Sequence, residues 1–407
     1  MTDYKKYFPW FKNNKNCYYL DNSATSLKPQ CVINEVVEYY SKYSTNPHNN
    51  DSALAAVINK KIADTRKKVA KFLNVKNPNE IVFTSGATES LNIVVNNVAS
   101  WLNKGDEVVL SYAEHASNLL PWLNVEKQKK VKVVFAGEKD TNTPTTNAFI
   151  KAINSKTKVI SFSNASNLFG YEIDIKKIVT AARKINKDII VIIDGTQSAP
   201  HCITNISNWN IDFFVCSAHK MCGPSGVGVM WGKMALLEKI TLMTKVGGGS
   251  ASTIESNKKV NLAPIPARFE AGTPNTEGIL GFGAAIDFLE QIGMKNIIQK
   301  EHELKQYFDK KIIDVKNIDY VSKEAKFPIC SFNINGVNPQ DLANYLGKAG
   351  IIVRGGLACA KLSYKITKNT VGYVRASFYF YNDFKDIDVL INALKKFDKK
   401  NIADAIL

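Results

Sequence analysis

The 407-residue chain is 45% hydrophobic, enough to bury a large core, and its length fits two domains or one large domain with a smaller one; a peptide module and a small toxin are excluded. A formal charge of +16 would suit a nucleic-acid or membrane partner. The lysines, however, are spread over amphipathic segments such as "NKKIADTRKKVAKFL" and "EHELKQYFDKKI", beside acids and without a basic-aromatic stripe, so solvated faces are expected rather than nucleic-acid binding.

No apolar run nears the roughly 18 residues of a membrane span. The first stretch, "MTDYKKYFPWFKNNKN", has charges and aromatics where a signal peptide needs an apolar core, so a cytoplasmic protein without a membrane partner is expected. From about residue 50 to 240, helical segments such as "IKKIVTAARKIN" alternate with short β-branched runs: "NEIVFTSG", "DEVVLSY", "KVVFAG", "KVISFSN", "DIIVIIDGT", "DFFVCSA" and "GVGVMW". Continuous apolar strands between amphipathic helices predict an α/β fold with a mostly parallel seven-stranded sheet covered on both faces. After "RFEAGTPNTEGILGFGAAIDFLEQIG" the texture changes. A helical stretch from about 276 to 312 leads to short strands in "FPICSFNIN", "GIIVRGG" and "GYVRASFYFYN", with helices "NPQDLANYLGKAG" and "FKDIDVLINALKKF" among them. Strands with helices on one side predict a smaller α+β domain. The expected division is 16–295 for the large domain and 296–407 for the small one, with 1–15 packing on the latter.

In parallel sheets ligands lie beyond the carboxyl ends of the strands, so the residues just after each strand carry the functional signal. In order these are Ser85-Gly86-Ala87-Thr88-Glu89, His115, Asn167, Asp194 with Gln197, and Ser217 with His219 and Lys220. "SGATES" is a glycine turn entering a helix, where free N–H groups and the Thr88 hydroxyl suit a phosphate, although a plain turn reads the same way. Asp194 ends the most apolar run, where a carboxylate needs a cationic partner unless it is a helix cap. His115 is either a packed ring or one that lies against a planar ligand. Lys220 follows "IDFFVC" and is carried to the sheet edge among neighbours that can desolvate its amine and make it nucleophilic. A phosphate cradle, a buried acid, a ring and such a lysine together describe a pyridoxal 5'-phosphate site.

Seven scattered cysteines form no regular framework, so reduced thiols are expected. Cys216-x2-His219-x2-Cys222 has the spacing of a zinc clasp, but no second cluster supplies the remaining ligands, and strand alternation turns Cys216 toward the core; no metal is expected. Cys359 differs from the others because it sits on a loop after Gly355 and Gly356. Arginine is scarce, occurring at 66, 183, 268, 354 and 375 only, so each marks a place where a planar, bidentate donor is expected.

In order along the chain, "YLDNSATSLKP", "FTSGATESLNIV", "AEHASNLLPW", "SNASNLFG", "VIIDGTQSAP", "CSAHKMCGPSGVGVMW", "RFEAGTPNT", "VRGGLACA" and "VRASFYFYN" resemble the Suf-type (group II) cysteine desulfurases, within the class V aminotransferase superfamily of fold type I pyridoxal phosphate enzymes. The resemblance implies a homodimer that converts L-cysteine, or L-selenocysteine, to L-alanine and hands sulfur to an acceptor or scaffold protein for iron–sulfur cluster assembly or tRNA thiolation. It implies that Lys220 bears the cofactor and later moves the Cα proton, that Asp194 pairs with the ring nitrogen, Gln197 with the phenolic oxygen, and that His115 stacks on the ring and assists proton transfer. Ala87, Thr88, Ser217 and His219 would hold the phosphate, with Thr273 reaching the phosphate of the other subunit. Asn167 would face ring and substrate, Arg375 would clamp the substrate carboxylate with Arg354 beside it, and Cys359 would receive the sulfur.

Two departures stand out. Leu357 and Ala358 occupy positions where the family commonly has histidines, and His48-Asn49-Asn50 lacks its usual arginine. Rival readings are a selenocysteine lyase, a class V aminotransferase that does not use Cys359, and a non-catalytic interaction protein of a sulfur system.

Overall fold

The computed structural model describes residues 3–47, 51–241 and 245–398. Seven strands, β1 (Ile81–Thr84), β2 (Glu107–Ser111), β3 (Lys132–Ala136), β4 (Thr157–Ser163), β5 (Ile190–Asp194), β6 (Phe213–Ser217) and β7 (Gly228–Gly232), form one sheet in the order β1-β7-β6-β5-β4-β2-β3. All run the same way except β7, which is antiparallel to both neighbours. All seven apolar runs read from the sequence are strands of this sheet.

Period-two alternation splits their side chains between two cores. Val109, Ile160, Val191, Ile193, Phe214 and Val229 pack on one face, and Val108, Leu110, Val159, Ile192, Phe213 and Met230 on the other. Cys216 falls in the first cluster with Cys222, both buried, while Ser217 turns to the opposite side at the strand end. Burial pushes both thiols up to about 12, as suits packed sulfur.

A small hairpin, β8 (Ala251–Ile254) and β9 (Val260–Leu262), projects exposed apolar residues. The expected long helix is two, Thr276–Ile292 and Met294–Ile312, parted at Gly293, whose φ of 85° a helix cannot contain. Beyond it, β10 (Ile318–Tyr320), β11 (Ile329–Ile334) and β12 (Val374–Ser377) form a three-stranded antiparallel sheet around its own core, which includes Leu304, Phe308, Phe332, Leu342 and Leu390.

Three features of this region differ from the linear reading. Ile318–Tyr320 is an additional edge strand, and only Val374–Ser377 of "GYVRASFYFYN" is extended. "GIIVRGG" yields just Ile351–Ile352, paired in parallel with Tyr18–Tyr19 at the start of the chain. A two-residue strand carries too little periodicity to declare its partner. Leu20 accordingly joins the C-terminal core, and Lys5 bridges to Asp383 and Asp386 at 2.8 and 2.6 Å at the start of the helix Phe384–Lys396. Phe8 packs against both Tyr381 and Phe288, touching the C-terminal part and the helix Thr276–Ile292 together.

Candidate active site

A cleft opens at the carboxyl ends of the parallel strands, where ligands of such sheets lie. Its walls bring together Ala87, Thr88, His115, Asn167, Asp194, Gln197, Ser217, His219, Lys220, Arg354, Cys359 and Arg375, all singled out in the sequence. Thr273 stands apart. It is exposed on a second cleft behind the "SGATES" turn, together with Ser85, Glu89 and the Lys245 that pairs with Glu89 at 2.6 Å.

At one end the helix Ala87–Ser100 begins without a side-chain cap, and the Ala87 N–H donates to Ser217 Oγ at 2.9 Å. The turn sits close on β7 because Gly228 has no side chain: a Cβ there would fall 2.5 Å from Gly86 backbone. Thr88 and Ser117 exchange a hydroxyl hydrogen bond of 2.7 Å, joining this helix start to that of Ala116–Lys129. A helix N-terminus flanked by hydroxyls is chemistry for a phosphate.

Lys220 sits one turn beyond β6, and the peptide before it is pinned from outside the sheet. The His219 carbonyl accepts from Ser26 N–H at 2.9 Å and from Thr25 Oγ1, Ser26 Oγ and Lys28 Nζ at 3.0 Å each. Burial, and then the charge of Arg375, push the Lys220 amine down to about 8 against the pull of Asp194 and Asp21. Burial and the amines of Lys220 and Lys28 push His219 down to about 4, so its ring is neutral. Asp194, buried at the end of β5, accepts from the Thr196 N–H at 3.0 Å.

His115 caps the helix Ala116–Lys129: its Nδ1 accepts from the Ser117 N–H at 3.1 Å. That bond requires a lone pair on Nδ1, which leaves the ring proton on Nε2. Burial lowers its pKa, opposed by Asp194 and aided by Lys220, Arg354 and Arg375.

The far wall comes from the C-terminal part. Arg354 and Arg375 face each other across a bridge of backbone bonds, 3.2 and 2.7 Å. Arg375, 1% exposed, donates from Nη1 to the Asn167 carbonyl at 2.8 Å and from Nη2 to Asp21 at 2.7 Å. Arg354 Nη2 lies 3.7 Å from Cys359 Sγ. Ala358 and Cys359 both hold left-handed backbone, φ 46° and 65°, where a side chain costs about 1–2 kcal/mol per residue. The loop is held there by two bonds from the sheet side: Asn167 Nδ2 donates to the Ala358 carbonyl at 2.5 Å, and the Ala116 N–H to the Cys359 carbonyl at 2.9 Å. The thiol is therefore presented by a clamped loop, which the paired glycines alone did not foretell.

Sequence reasoning quoted the segment 19–29 but gave none of its residues a role. Asp21 anchors Arg375, the Ser23 carbonyl accepts from Gln197 Nε2 at 2.8 Å, and Thr25 to Lys28 hold His219. Glu114 was missed as well. Only its position just before His115 could have drawn attention to it. The departure at His48-Asn49-Asn50 lies outside the described residues.

Whether the donor set suits pyridoxal phosphate can be judged from the cleft itself. Ser23 Oγ, Thr196 Oγ1, Gln197 Oε1 and Arg375 Nε are buried polar atoms of its lining that no protein group satisfies, a concentration that asks for a polar ligand. With a helix N-terminus at one end, a carboxylate at the other and an amine of lowered pKa between, the residues fit that cofactor.

Residues 18–390 match the family model of the class V aminotransferases. The chain belongs to this family. A probable cysteine desulfurase of Ureaplasma parvum is 45% identical over 407 residues, covering all of both chains, and one of Streptomyces coelicolor is 36% identical over 389 residues, 93% of this chain and 91% of the relative. Among solved structures, the apo cysteine desulfurase of Thermococcus onnurineus superposes with a TM-score of 0.89 at 30% identity over 97% of each chain. The Escherichia coli cysteine desulfurase in its S-sulfonic acid form gives 0.88 at the same identity and coverage. The family member's architecture is therefore fold type I, with a seven-stranded, mostly parallel sheet and a smaller C-terminal sheet.

Proposed function

We propose that the protein is a Suf-type cysteine desulfurase that converts L-cysteine to L-alanine and retains the sulfur as a persulfide on Cys359. The observation that carries this reading is the shared cleft, which Lys220 and Cys359, 139 residues apart in sequence, line together with Arg354 and Arg375.

Pyridoxal phosphate, when bound, supplies an electron sink that weakens the Cα–H and C–S bonds of an amino acid. Ala87 N–H, Thr88, Ser217 and His219 would hold its phosphate, Asp194 its ring nitrogen and Gln197 its phenolic oxygen, with His115 and Asn167 on its faces. Lys220, its pKa lowered to about 8 so that a substantial share is free base near that pH, takes the Cα proton on Nζ and returns one to carbon. Arg375 orients the substrate carboxylate with the guanidinium donors that Asn167 and Asp21 leave unused. Arg354 supplies positive charge beside Cys359 Sγ, and the clamp on Ala358 and Cys359 aims that sulfur. The C–S bond of L-cysteine breaks as an S–S bond to Cys359 forms. The transferred sulfur is oxidised as the substrate Cβ is reduced and protonated, so no outside oxidant is needed.

The same reading makes the protein a cytoplasmic homodimer, with Thr273 completing the partner's phosphate site, that passes sulfur to an acceptor or scaffold protein for iron–sulfur assembly or tRNA thiolation. Purified protein given L-cysteine is expected to form alanine and persulfide. Lys220→Ala should form neither, and Cys359→Ala should stay yellow with bound cofactor but make no persulfide. Normal sulfur release by Cys359→Ala would remove Cys359 as the acceptor, and a wild type that cannot be loaded with pyridoxal phosphate would end the proposal.

A further inference from the structure

Beneath His115 lies a carboxyl that none of the assigned roles uses. Glu114 is 1% exposed and sits where the ends of β2 and β4 part. Its Oε2 accepts from the Ser163 N–H and from Asn118 Nδ2, both at 2.9 Å, and its Oε1 lies 2.5 Å from Ser111 Oγ. Asn118 is itself fixed by Ser161 Oγ, which donates to its Oδ1 at 2.6 Å. Glu114 thus ties two strand ends to the helix that carries His115, one residue away.

This web tolerates a change of protonation without a change of shape. Ionised, Glu114 accepts from the Ser111 hydroxyl through Oε1; protonated, Oε1–H donates to that same hydroxyl, which can serve either way. The two fixed donors remain on Oε2 in both states. Asp194, on neighbouring β5, is the charged group that acts on Glu114 from the elements packed against it, while Ser111, Asn118 and the Ser163 N–H are neutral. The charges of Lys220, Arg354 and Arg375 act on the His115 ring as well. Burial, with the Asp194 charge, pushes the Glu114 carboxyl up to about 7.

We propose that Glu114 is a positioning residue which holds His115 in place and, by gaining or losing one proton within an unchanged hydrogen-bond web, sets how strongly Asp194 can hold a proton on the ring nitrogen of the cofactor. When Glu114 is ionised, two carboxylates support that proton; when it is neutral, Asp194 does so alone. The inference rests on the pyridoxal phosphate reading of the cleft.

Glu114→Gln tests it, because the amide oxygen can take the two fixed donors and the NH2 can donate to Ser111, keeping geometry and removing charge. At pH 6 the wild type carries mostly neutral Glu114, so kcat of the cofactor-loaded variant should match it; at pH 8 kcat should be lower by up to about tenfold, the effect of one pKa unit, with KM for L-cysteine little changed. The apo-protein supplies a readout independent of the cofactor. A folded-state carboxyl pKa raised to about 7 favours folding below its unfolded value near 4.5, and that advantage is lost as pH rises through 7. The Tm of Glu114→Gln relative to wild type should therefore rise between pH 5 and pH 8. In the difference between wild type and Glu114→Gln, which cancels the other buried carboxyl, Glu301, the infrared C=O band of a buried carboxylic acid should vanish over the same range. An equal loss of kcat at pH 6 and pH 8 would mark a merely structural role and overturn the proposal. So would a Tm difference that does not change with pH, or an absent acid band at pH 6. A protein that shows the Tm and infrared changes but takes up no pyridoxal phosphate would leave Glu114 titrating and refute the function proposed above instead.

Discussion

At the scale of single residues, the site is a set of groups whose ordinary chemistry has been shifted by burial. Lys220 is the clearest. An exposed lysine is almost wholly protonated at neutral pH, but Lys220, pushed to about 8, holds an appreciable fraction of free base there. The unprotonated amine is the nucleophile, so the rate at which apo-protein takes up pyridoxal phosphate should climb with pH and level off with a midpoint near 8, followed by growth of the visible absorption band. A rise that continues toward pH 10 without a plateau would show that the amine is not desolvated. The residue identities behind this were legible: an aspartate closing an apolar strand and a lysine just after another are chemically conspicuous in a list of amino acids. Asp21 and Glu114 were not, because their importance lies in touching Arg375 and in underpinning His115, and neither contact has a signature in sequence spacing.

The elements place those residues by simple rules. Apolar strands of four to seven residues, alternating sides, made the sheet readable in advance, and its parallel sense put every functional strand end on one edge. The Cys359 loop follows a different rule. Its two left-handed residues persist because Asn167 and Ala116 hold their carbonyls and because Gly372, φ 87°, lets the chain pass directly against Gly356. A Cβ on Gly372 would fall 2.3 Å from the Gly356 carbonyl carbon. Gly372→Ala should therefore displace the thiol but leave the cofactor residues alone. We expect a normal visible spectrum with persulfide formation reduced roughly tenfold or more, since about 1 Å of misplacement can cost two orders of magnitude. Wild-type persulfide yield from this variant would show that the glycine contact does not place the sulfur.

For the whole molecule, the strap of residues 18–28 is the organising feature. It pairs with Ile351–Ile352, anchors Arg375 through Asp21, bonds Gln197 through Ser23 and fixes the peptide before Lys220, so it links the large sheet, the C-terminal sheet and the cleft. The strap thus belongs to the part of the chain that carries the large sheet and to the part that carries the C-terminal sheet alike. The outer surface carries Val37, Tyr40, Leu54 and Val57 exposed on helices, together with Ile254 and Val260 on the hairpin. The homodimer proposed above predicts a solution mass near twice the 45.2 kDa of the chain by light scattering. It also predicts that Thr273→Ala, though remote from the cleft of its own chain, speeds cofactor loss about tenfold or more as read by dialysis and absorbance, on the order of one lost hydrogen bond to a charged group. A monomer, or a Thr273→Ala protein with unchanged cofactor retention, would contradict it.

By itself the sequence determined the α/β sheet, the residues at its strand ends, the loop cysteine and the scarcity of arginine at all but a few positions. These are local properties, set by side-chain periodicity and by the chemistry of each residue type. Only the tertiary structure decided that Arg354 and Arg375 face one another, that Cys359 is clamped in strained backbone against a helix start, that Thr273 stands outside its own chain's cleft, and that Glu114 is tied to Ser111, Asn118 and Ser163 beneath His115. Those are relations between segments tens to hundreds of residues apart, and they arise from packing and burial, which no single stretch of chain contains.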